Sequence, residues 1–536
     1  MAQPSAAQKF ILGPQCWGCR EKRVRCGSEM PGCAKCAAKG VACPGYGATK
    51  PLRWRKPQNP RALEGKRSTV NSFVIDFPPR FTLTTPAEKS LDSVIADEII
   101  YYNERIAPDL VVVDLPSNPF RWSLKLSAIA PAYLNQAYAA ISSFHRIVQR
   151  RYGGLNLPQS GSIGLTAAST SQRPDPEEAM FYRHYASALR SLNDELSKTT
   201  KTLNITILAG VMMLLFSQLQ QAAYGQWRVH LDGFKHLIDF YGGWRCLLAR
   251  YLDAGFVLSN LVIIDAMSTT TSPVTNMGAD TIRWHTTYLE ILPYLDYDVI
   301  PIPTPIPPPL LRAVIMINLA RAASHTTRER NQCTPTLSQV LDELGITLFS
   351  ECASGGDTYL LEGLEYESRV NNHDTIVGTP SQALFTNCYR SAVILYAMEA
   401  FTALDTDRDN PLLDALLTTE AANAIQTSAY DSLMHSLRAL FQLKDKPQGG
   451  EAHWKFIFWP LALAGVQSVV LKRDRNDFNY ICARLYEMTA ELGTLCMRDA
   501  AVFLRRLWLE ASASESNGRL LLAWDEIFKE APLFLL

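Results

Sequence analysis

Long uninterrupted apolar stretches are missing from this sequence of 536 residues. A membrane-spanning helix needs about 20 consecutive apolar residues. The nearest candidates are residues 205–216, which are too few, and residues 456–471, which Pro460, Gln467 and Ser468 interrupt. Residues 1–15 carry one Lys and a short apolar run, which is not typical of a signal peptide. We therefore expect no membrane partner, and we interpret both apolar stretches as buried core helices.

Motifs that would indicate an enzyme are also lacking. The segment that ends like a phosphate-binding loop has Pro60 where its first Gly must stand. Ser162 has Ser160 where a nucleophile elbow requires Gly. His230 and His236 lie six positions apart, so they do not form the i, i+4 pair of a helical metal site. The sequence therefore predicts a protein without catalytic activity.

Acidic residues are scarce at one end of the chain. The first seventy residues contain fourteen Lys and Arg but only three Glu, a net charge of +11, whereas the whole chain is formally neutral. A charge asymmetry of this kind points to an anionic partner for the basic end.

The twelve cysteines form two populations. Six are scattered through apolar, helical sequence and are interpreted as buried free thiols. The other six follow the pattern C-x2-C-x6-C-x6-C-x2-C-x6-C, namely Cys16, Cys19, Cys26, Cys33, Cys36 and Cys43. A segment this short has almost no apolar core, so it needs a metal or disulfides to order it. The paired C-x2-C units favour zinc, and two ions reach four ligands each if two of the six cysteines bridge.

This segment resembles the DNA-binding domain of the fungal binuclear zinc-cluster family. The resemblance rests on C-W-G-C-R-E-K-R-V-R-C, on the second cysteine half and on Pro31 in the loop between them. It implies that Cys16 and Cys33 bridge two zinc ions. Cys19 and Cys26 would then complete one site, and Cys36 and Cys43 the other.

The basic residues of the cluster are candidate DNA contacts. Arg or Lys donating to guanine is the commonest specific base contact in the major groove. The resemblance assigns Lys22 and Arg23 as readers of a CGG-type half-site, and Arg20 and Arg25 as contacts to phosphate. The family more often has Lys at the position of Arg23.

A linker rich in Pro, Gly and cations follows the cluster. Arg53 and Arg55 would run along the phosphate backbone and add affinity without specificity. Residues 50–85 contain no sustained heptad pattern, so a coiled-coil dimer is not supported there. We expect a DNA-binding domain in residues 1–46 with the cluster in 16–43, a linker in 47–85 and a regulatory domain in 86–536.

The remainder of the chain has mostly helical periodicity. Residues 73–77 and 110–113 are the only short strand candidates. The proline-rich residues 300–310 predict an extended connector, and the acidic residues 357–374 predict a solvated loop or an activation segment. The predicted fold class is mostly α, with a small zinc-cluster domain, a flexible linker and a large all-helical regulatory domain.

Several local sequences in this region resemble the fungal-specific transcription-factor domain, in the version shared with sterol-uptake regulators. They are N-P-F-R from Asn118, W-R-V-H-L-D-G-F-K-H-L-I from Trp227, F-W-P-L-A-L-A-G from Phe458 and W-D-E-I-F from Trp524. The resemblance implies a helical regulatory domain that in some members holds a ligand.

Together these features predict a nuclear regulator of RNA polymerase II genes. It would bind double-stranded DNA through a domain that two zinc ions hold together. A homodimer, a small-molecule effector and the transcription machinery are the other partners considered. Two alternatives remain open: a repressor, and a ligand-binding helical protein in which DNA binding is secondary.

Overall fold

The computed structural model divides the chain into two compact units, Met1–Thr84 and Thr85–Leu536. It describes only part of each unit. In the first unit the described residues are 16, 19, 24, 26, 33–41 and 43. In the second they are 93–153, 176–198, 204–224, 227–251, 254–295, 306–326, 334–353, 356–362, 379–403, 419–444, 451–515 and 523–529.

Helices make up most of the described residues. The first unit contains α1 (Ala34–Ala37). The first half of the second unit contains α2 (Ser93–Arg105), α3 (Leu124–Ile129), α4 (Ala132–Tyr152), α5 (Pro176–Ser197), α6 (Ile205–Gln221), α7 (Trp227–Phe240), α8 (Trp244–Arg250), α9 (Ala254–Thr269) and α10 (Ala279–Ile291). The second half contains α11 (Pro308–Thr326), α12 (Leu337–Glu343), α13 (Pro380–Ala403), α14 (Thr419–Lys444), α15 (Phe458–Val470), α16 (Arg475–Leu492), α17 (Cys496–Glu515) and α18 (Trp524–Ile527).

The two apolar stretches do form buried helices. In α6 the Asn204 side chain caps the N-terminus by accepting a hydrogen bond from the Thr206 backbone. Helix α15 is buried along most of its length, and its residue Gly465 lets Leu504 of α17 approach closely. No helix among the described residues is long and apolar enough to cross a membrane.

The helices pack mainly with their neighbours in sequence. Helix α4 packs against α2, α5 and α6, α13 pairs with α14, and α15 lies against α16 and α17. Helix α9 is buried at almost every position, which places it in the centre of the core. The mostly α fold class is therefore confirmed.

The strand predictions were less successful. Residues 110–113 are not a strand: a short 3₁₀ turn, Ala107–Leu110, leads into a bend, and Val113 is exposed. Residues 73–77 lie outside the described residues. Instead, β1 (Thr347–Ala353) and β2 (Gly356–Glu362) pair as a two-stranded antiparallel hairpin, with Thr347 opposite Glu362.

Two segments expected to be irregular are partly regular. Residues 357–362 of the acidic segment belong to β2 rather than to a loop, because T-Y-L-L favours a strand. The rest of that segment is outside the described residues. In the proline-rich connector, α11 already begins at Pro308, since Pro is tolerated in the first helical turn, where no intrahelical N–H bond is lost.

A polar network crosses the apolar core of the second unit. The Arg321 side chain is 2 % exposed and donates to Asp525 Oδ1 at 2.5 Å, to the Ser272 carbonyl at 2.7 Å and to the Tyr396 hydroxyl at 2.8 Å. Tyr396 in turn donates to Asn318 Oδ1 at 2.6 Å. These bonds join α11 and α13 to α18, whose Trp524 is also buried. The short α18 segment is therefore part of the core.

Candidate metal centre

Thiol groups lie close together in the described part of the first unit. The Sγ atoms of Cys16 and Cys33 are 3.5 Å apart, those of Cys19 and Cys33 are 3.7 Å apart, and those of Cys16 and Cys36 are 3.9 Å apart. Both Cys16 and Cys33 are fully buried. These separations are far longer than a disulfide bond of about 2.05 Å, and the cysteines in the described part of the chain are free thiols.

The six sulfur atoms form two overlapping groups of four. One group is Cys16, Cys19, Cys26 and Cys33, and the other is Cys16, Cys33, Cys36 and Cys43. Within each group the sulfurs lie within 4.8 Å of one another. Four thiolates around one tetrahedral zinc, with Zn–S bonds of about 2.3 Å, would lie about 3.8 Å apart. The residues therefore fit two zinc ions, and Cys16 and Cys33 are the pair that both groups share.

The repeat in the sequence produces the same local bond in each half. The backbone N–H of Cys19 donates to Cys16 Sγ at 3.4 Å, and that of Cys36 donates to Cys33 Sγ at 3.3 Å. In the second half Cys33 is the N-cap of α1, so the first turn of the helix fixes the C-x2-C spacing. Each C-x2-C unit thus directs an N–H dipole at the sulfur that both groups share.

The electrostatics of the cluster call for a bound cation. Burial is the largest factor that raises the pKa of the Cys16 thiol. Contact with the Cys33 sulfur, followed by burial, raises the pKa of Cys36 to about 12. Crowded thiols of this kind remain protonated at neutral pH unless positive charge stabilises the thiolates. Divalent zinc supplies that charge.

The structure does not describe the six residues predicted to contact DNA. Arg20, Lys22, Arg23 and Arg25 lie outside the described residues, as do Arg53 and Arg55. Sequence reasoning assigned no role to Lys35 and Lys39, which the structure places exposed on and just after α1. The family resemblance assigns no DNA contact to either position, and a positive charge by itself does not identify one.

The other described residues offer no comparable metal site. Only the cluster cysteines bring three or more Cys, His or carboxylate ligand atoms within 4.8 Å of one another in the described part of the chain. The scattered cysteines Cys388, Cys482 and Cys496 are buried free thiols, as expected, and Cys246 is half-buried. Cys333 and the side chain of Cys352 are not described.

Comparison with known families gives two matches along the chain. The fungal Zn(2)-Cys(6) binuclear cluster domain matches residues 15–52. The fungal specific transcription factor domain matches residues 99–536, most of the chain.

Similar proteins include three fungal regulators. A phomenoic acid biosynthesis cluster-specific transcriptional regulator of Leptosphaeria maculans is 24% identical over 506 residues, covering 92% of this chain and 85% of that protein. An acriflavine sensitivity control protein of Neurospora crassa is 39% identical over 62 residues, 12% of this chain and 10% of that protein. The arginine metabolism regulation protein II of Saccharomyces cerevisiae is 25% identical over 170 residues, 29% of this chain and 18% of that protein. No solved structure matches the chain.

Proposed function

Since the chain belongs to the fungal transcription regulators that combine a Zn(2)-Cys(6) cluster with the fungal specific transcription factor domain, we propose that it reads CGG-type half-sites in the major groove. The observation that supports this most is that two groups of four cysteines share Cys16 and Cys33. A cluster closed in this way would hold the basic segment between Cys19 and Cys26 at both ends. Lys22 and Arg23 are the proposed base readers.

The remaining cations contribute affinity in this proposal. Arg20, Arg25, Arg53 and Arg55 contact phosphate, which is independent of sequence and sensitive to salt. Lys35 and Lys39 join them because both are exposed. The proposed domains are residues 1–46 for DNA binding, 47–85 for the linker and 86–536 for regulation.

The proposed setting is the nucleus, at genes transcribed by RNA polymerase II. The relative from Leptosphaeria maculans is described as specific to one biosynthesis cluster, and the similarity covers 92% of this chain. We therefore propose a pathway-specific regulator whose targets lie together in one biosynthetic gene cluster. A homodimer, an effector bound by the helical domain and contacts with the transcription machinery belong to the same proposal, and the sterol-uptake resemblance stays a prediction.

Zinc content tests the ligand assignment. The purified full chain is expected to hold two zinc ions. Cys33→Ser removes a sulfur common to both groups and is expected to lose both ions, whereas Cys43→Ser affects one group and is expected to retain more zinc than Cys33→Ser. Cys246→Ser, a half-buried thiol outside the cluster, is the matched control and should still hold two. A Cys33→Ser protein with both ions would refute the shared pair.

Selection of binding sites from random DNA tests the half-site. The full chain should enrich CGG-type sequences. Arg23→Ala should cost about 1–3 kcal/mol and relax the preference at one base position. Arg55→Ala is the control, since it should weaken binding to all sequences evenly and reduce the salt dependence. Unchanged specificity in Arg23→Ala would contradict the base-reader assignment.

Transcript profiles separate an activator from a repressor. Deleting the gene should change the expression of a contiguous set of biosynthetic genes. Lower expression in the deletion strain indicates activation, and higher expression indicates repression. Changes scattered evenly over the genome would contradict a cluster-specific role.

A further inference from the structure

The short helix α18 contacts the rest of the helical unit in the way that a bound peptide contacts its receptor. Trp524, Ile527 and Phe528 are 3%, 7% and 1% exposed. Their spacing of three and four positions places them on one face of a helical turn. Asp525 and Glu526 lie between them, and Glu526 is exposed. A short amphipathic segment with apolar anchors at this spacing is a common form of peptide ligand.

The aromatic rings of this segment each have a partner in the unit. The Trp524 ring N–H donates to the Thr270 carbonyl at 2.9 Å, and the ring centroid lies 5.5 Å from that of Tyr396. The Phe528 ring stacks on Phe503, with 5.5 Å between the centroids. The segment therefore docks against the end of α9, against α13 and against α17.

Arg321 is oriented for a carboxylate by groups outside α18. Its guanidinium donates to the carbonyls of Thr270 and Ser272, at 3.1 and 2.7 Å, and to the Tyr396 hydroxyl at 2.8 Å. Asp525 Oδ1 lies 2.5 Å from the same guanidinium. A receptor that is ordered before its ligand arrives loses less entropy on binding. The docking surface contains no residue of the segment itself; it consists of Thr270, Ser272, Arg321, Tyr396 and Phe503.

The ion pair between Arg321 and Asp525 favours specific docking over permanent attachment. Well-packed apolar side chains in its place would often be as stabilising or more so. The Asp525 side chain is 30% exposed, so water reaches the carboxylate and solvates it when the contact opens. On the other side of the pair, the guanidinium keeps its bonds to the carbonyls and to Tyr396. Opening this contact therefore costs much less than unfolding the unit.

We propose that residues 524–528 are an exchangeable latch, which docks on this surface from its own chain and also leaves it while the helical unit stays folded. An open latch can dock on the same surface of a second copy. Because residues 516–523 tie the latch to α17, its local concentration at the surface is about a millimolar. With a Kd of about 10 µM for the free segment, the docked form is favoured about a hundredfold. The inference goes beyond the proposed function and concerns the helical unit alone.

The test is the fluorescence anisotropy of a labelled peptide with the sequence of residues 522–531, titrated with full-length chains. In the native chain the latch competes with the peptide, so the apparent Kd should be only about 1 mM. Asp525→Asn in the chain should weaken docking of its own latch about thirtyfold. The peptide should then bind that chain with an apparent Kd of about 40 µM, about twentyfold more tightly than the native chain.

Two control chains show whether the peptide occupies the docking surface. Glu526→Gln also removes one acidic charge, but Glu526 is exposed, so this chain should bind the peptide as weakly as the native one. Arg321→Met weakens the latch and the docking surface together, so its apparent Kd should stay at about 1 mM. The Asp525→Asn peptide should bind the Asp525→Asn chain about thirtyfold more weakly than the native peptide does.

A second variant opens the latch without touching the ion pair. Phe528→Ala keeps Asp525 but removes the ring that stacks on Phe503. This chain should also bind the native peptide more tightly than the native chain does. Circular dichroism checks that each variant keeps its helical content.

Three results would overturn the inference. The first is that neither Asp525→Asn nor Phe528→Ala gains affinity for the peptide, which would mean that the segment does not exchange. The second is a loss of helical content in both variants, because a latch opens without unfolding the unit. The third is an equal gain in Glu526→Gln or in Arg321→Met, because the peptide would then be binding elsewhere.

Discussion

Replacing Asp525 with Asn removes one charge from the polar network in the core. Asn keeps the size of the side chain and an oxygen that can still accept from the Val274 backbone N–H, at 3.1 Å in the native protein. What is lost is the negative partner of Arg321. Burial by itself lowers the pKa of Arg321, but Tyr396 and Asp525 outweigh that effect and hold it above its ordinary value. Arg321 stays charged in the variant, because the ordinary pKa of a guanidinium lies far above neutral pH.

The magnitude follows from the burial of the two groups. Removing one partner of a fully buried ion pair costs about 3–5 kcal/mol. The Asp525 side chain is 30% exposed, whereas that of Arg321 is 2% exposed. Water can therefore screen one end of the pair, so we expect a loss of about 2–4 kcal/mol.

Denaturant unfolding followed by circular dichroism measures the effect. Asp431→Asn is the matched control, since Asp431 pairs with Arg473 on the surface and is 66% exposed. That change should cost about 0–1 kcal/mol. A loss in Asp525→Asn no larger than that of the control would refute the reasoning.

A double variant identifies the charge as the cause. Arg321→Met together with Asp525→Asn leaves no buried charge, so the two losses should not add. We expect a coupling of about 1.5 kcal/mol or more. Additive losses would mean that packing, and not the stranded guanidinium, explains the single variant.

Two further variants probe individual residues of the helical unit. His230 is buried, and burial lowers its pKa to about 4, so the unfolded chain binds the proton more tightly and stability falls as pH drops from about 6.5 towards 4. Between pH 7.5 and pH 5, the free energy of unfolding of the native protein should fall by about 2 kcal/mol more than that of His230→Gln. Denaturant unfolding at each pH measures this difference, and an equal fall in the two proteins would contradict the prediction. Gly493→Ala should cost at least about 1 kcal/mol more than the control Gly345→Ala. Both glycines have φ near +60°, but an added Cβ meets His145 at 2.1 Å in the first and nothing within 4 Å in the second, so equal losses would argue against the contact.

The helices and the cluster were predictable because their determinants are local. Apolar periodicity placed the helices, and the C-x2-C repeat indicated a metal. Both signals depend on residues a few positions apart, which the sequence presents directly.

The polar network and the hairpin were not predictable in this way. Arg321 and Asp525 are 204 positions apart, and nothing in either local sequence indicates that they meet. The strand Gly356–Glu362 carries a Leu pair beside acidic residues, so it has no clear alternation. Likewise, nothing in the local sequence around His145 indicates that its ring bonds to Tyr101, 44 positions away.

The sharing of Cys16 and Cys33 has a consequence for how the basic module can fail. Two independent four-thiolate sites would need eight cysteines, and damage to one would spare the other. Here six cysteines within 28 residues serve both groups, so the arrangement has no redundancy at its centre. Oxidation or alkylation of either shared thiol disables both halves at once. Loss of either outer pair leaves one complete group of ligands behind. The response of the module to thiol damage is therefore all-or-none at two positions and graded at the other four.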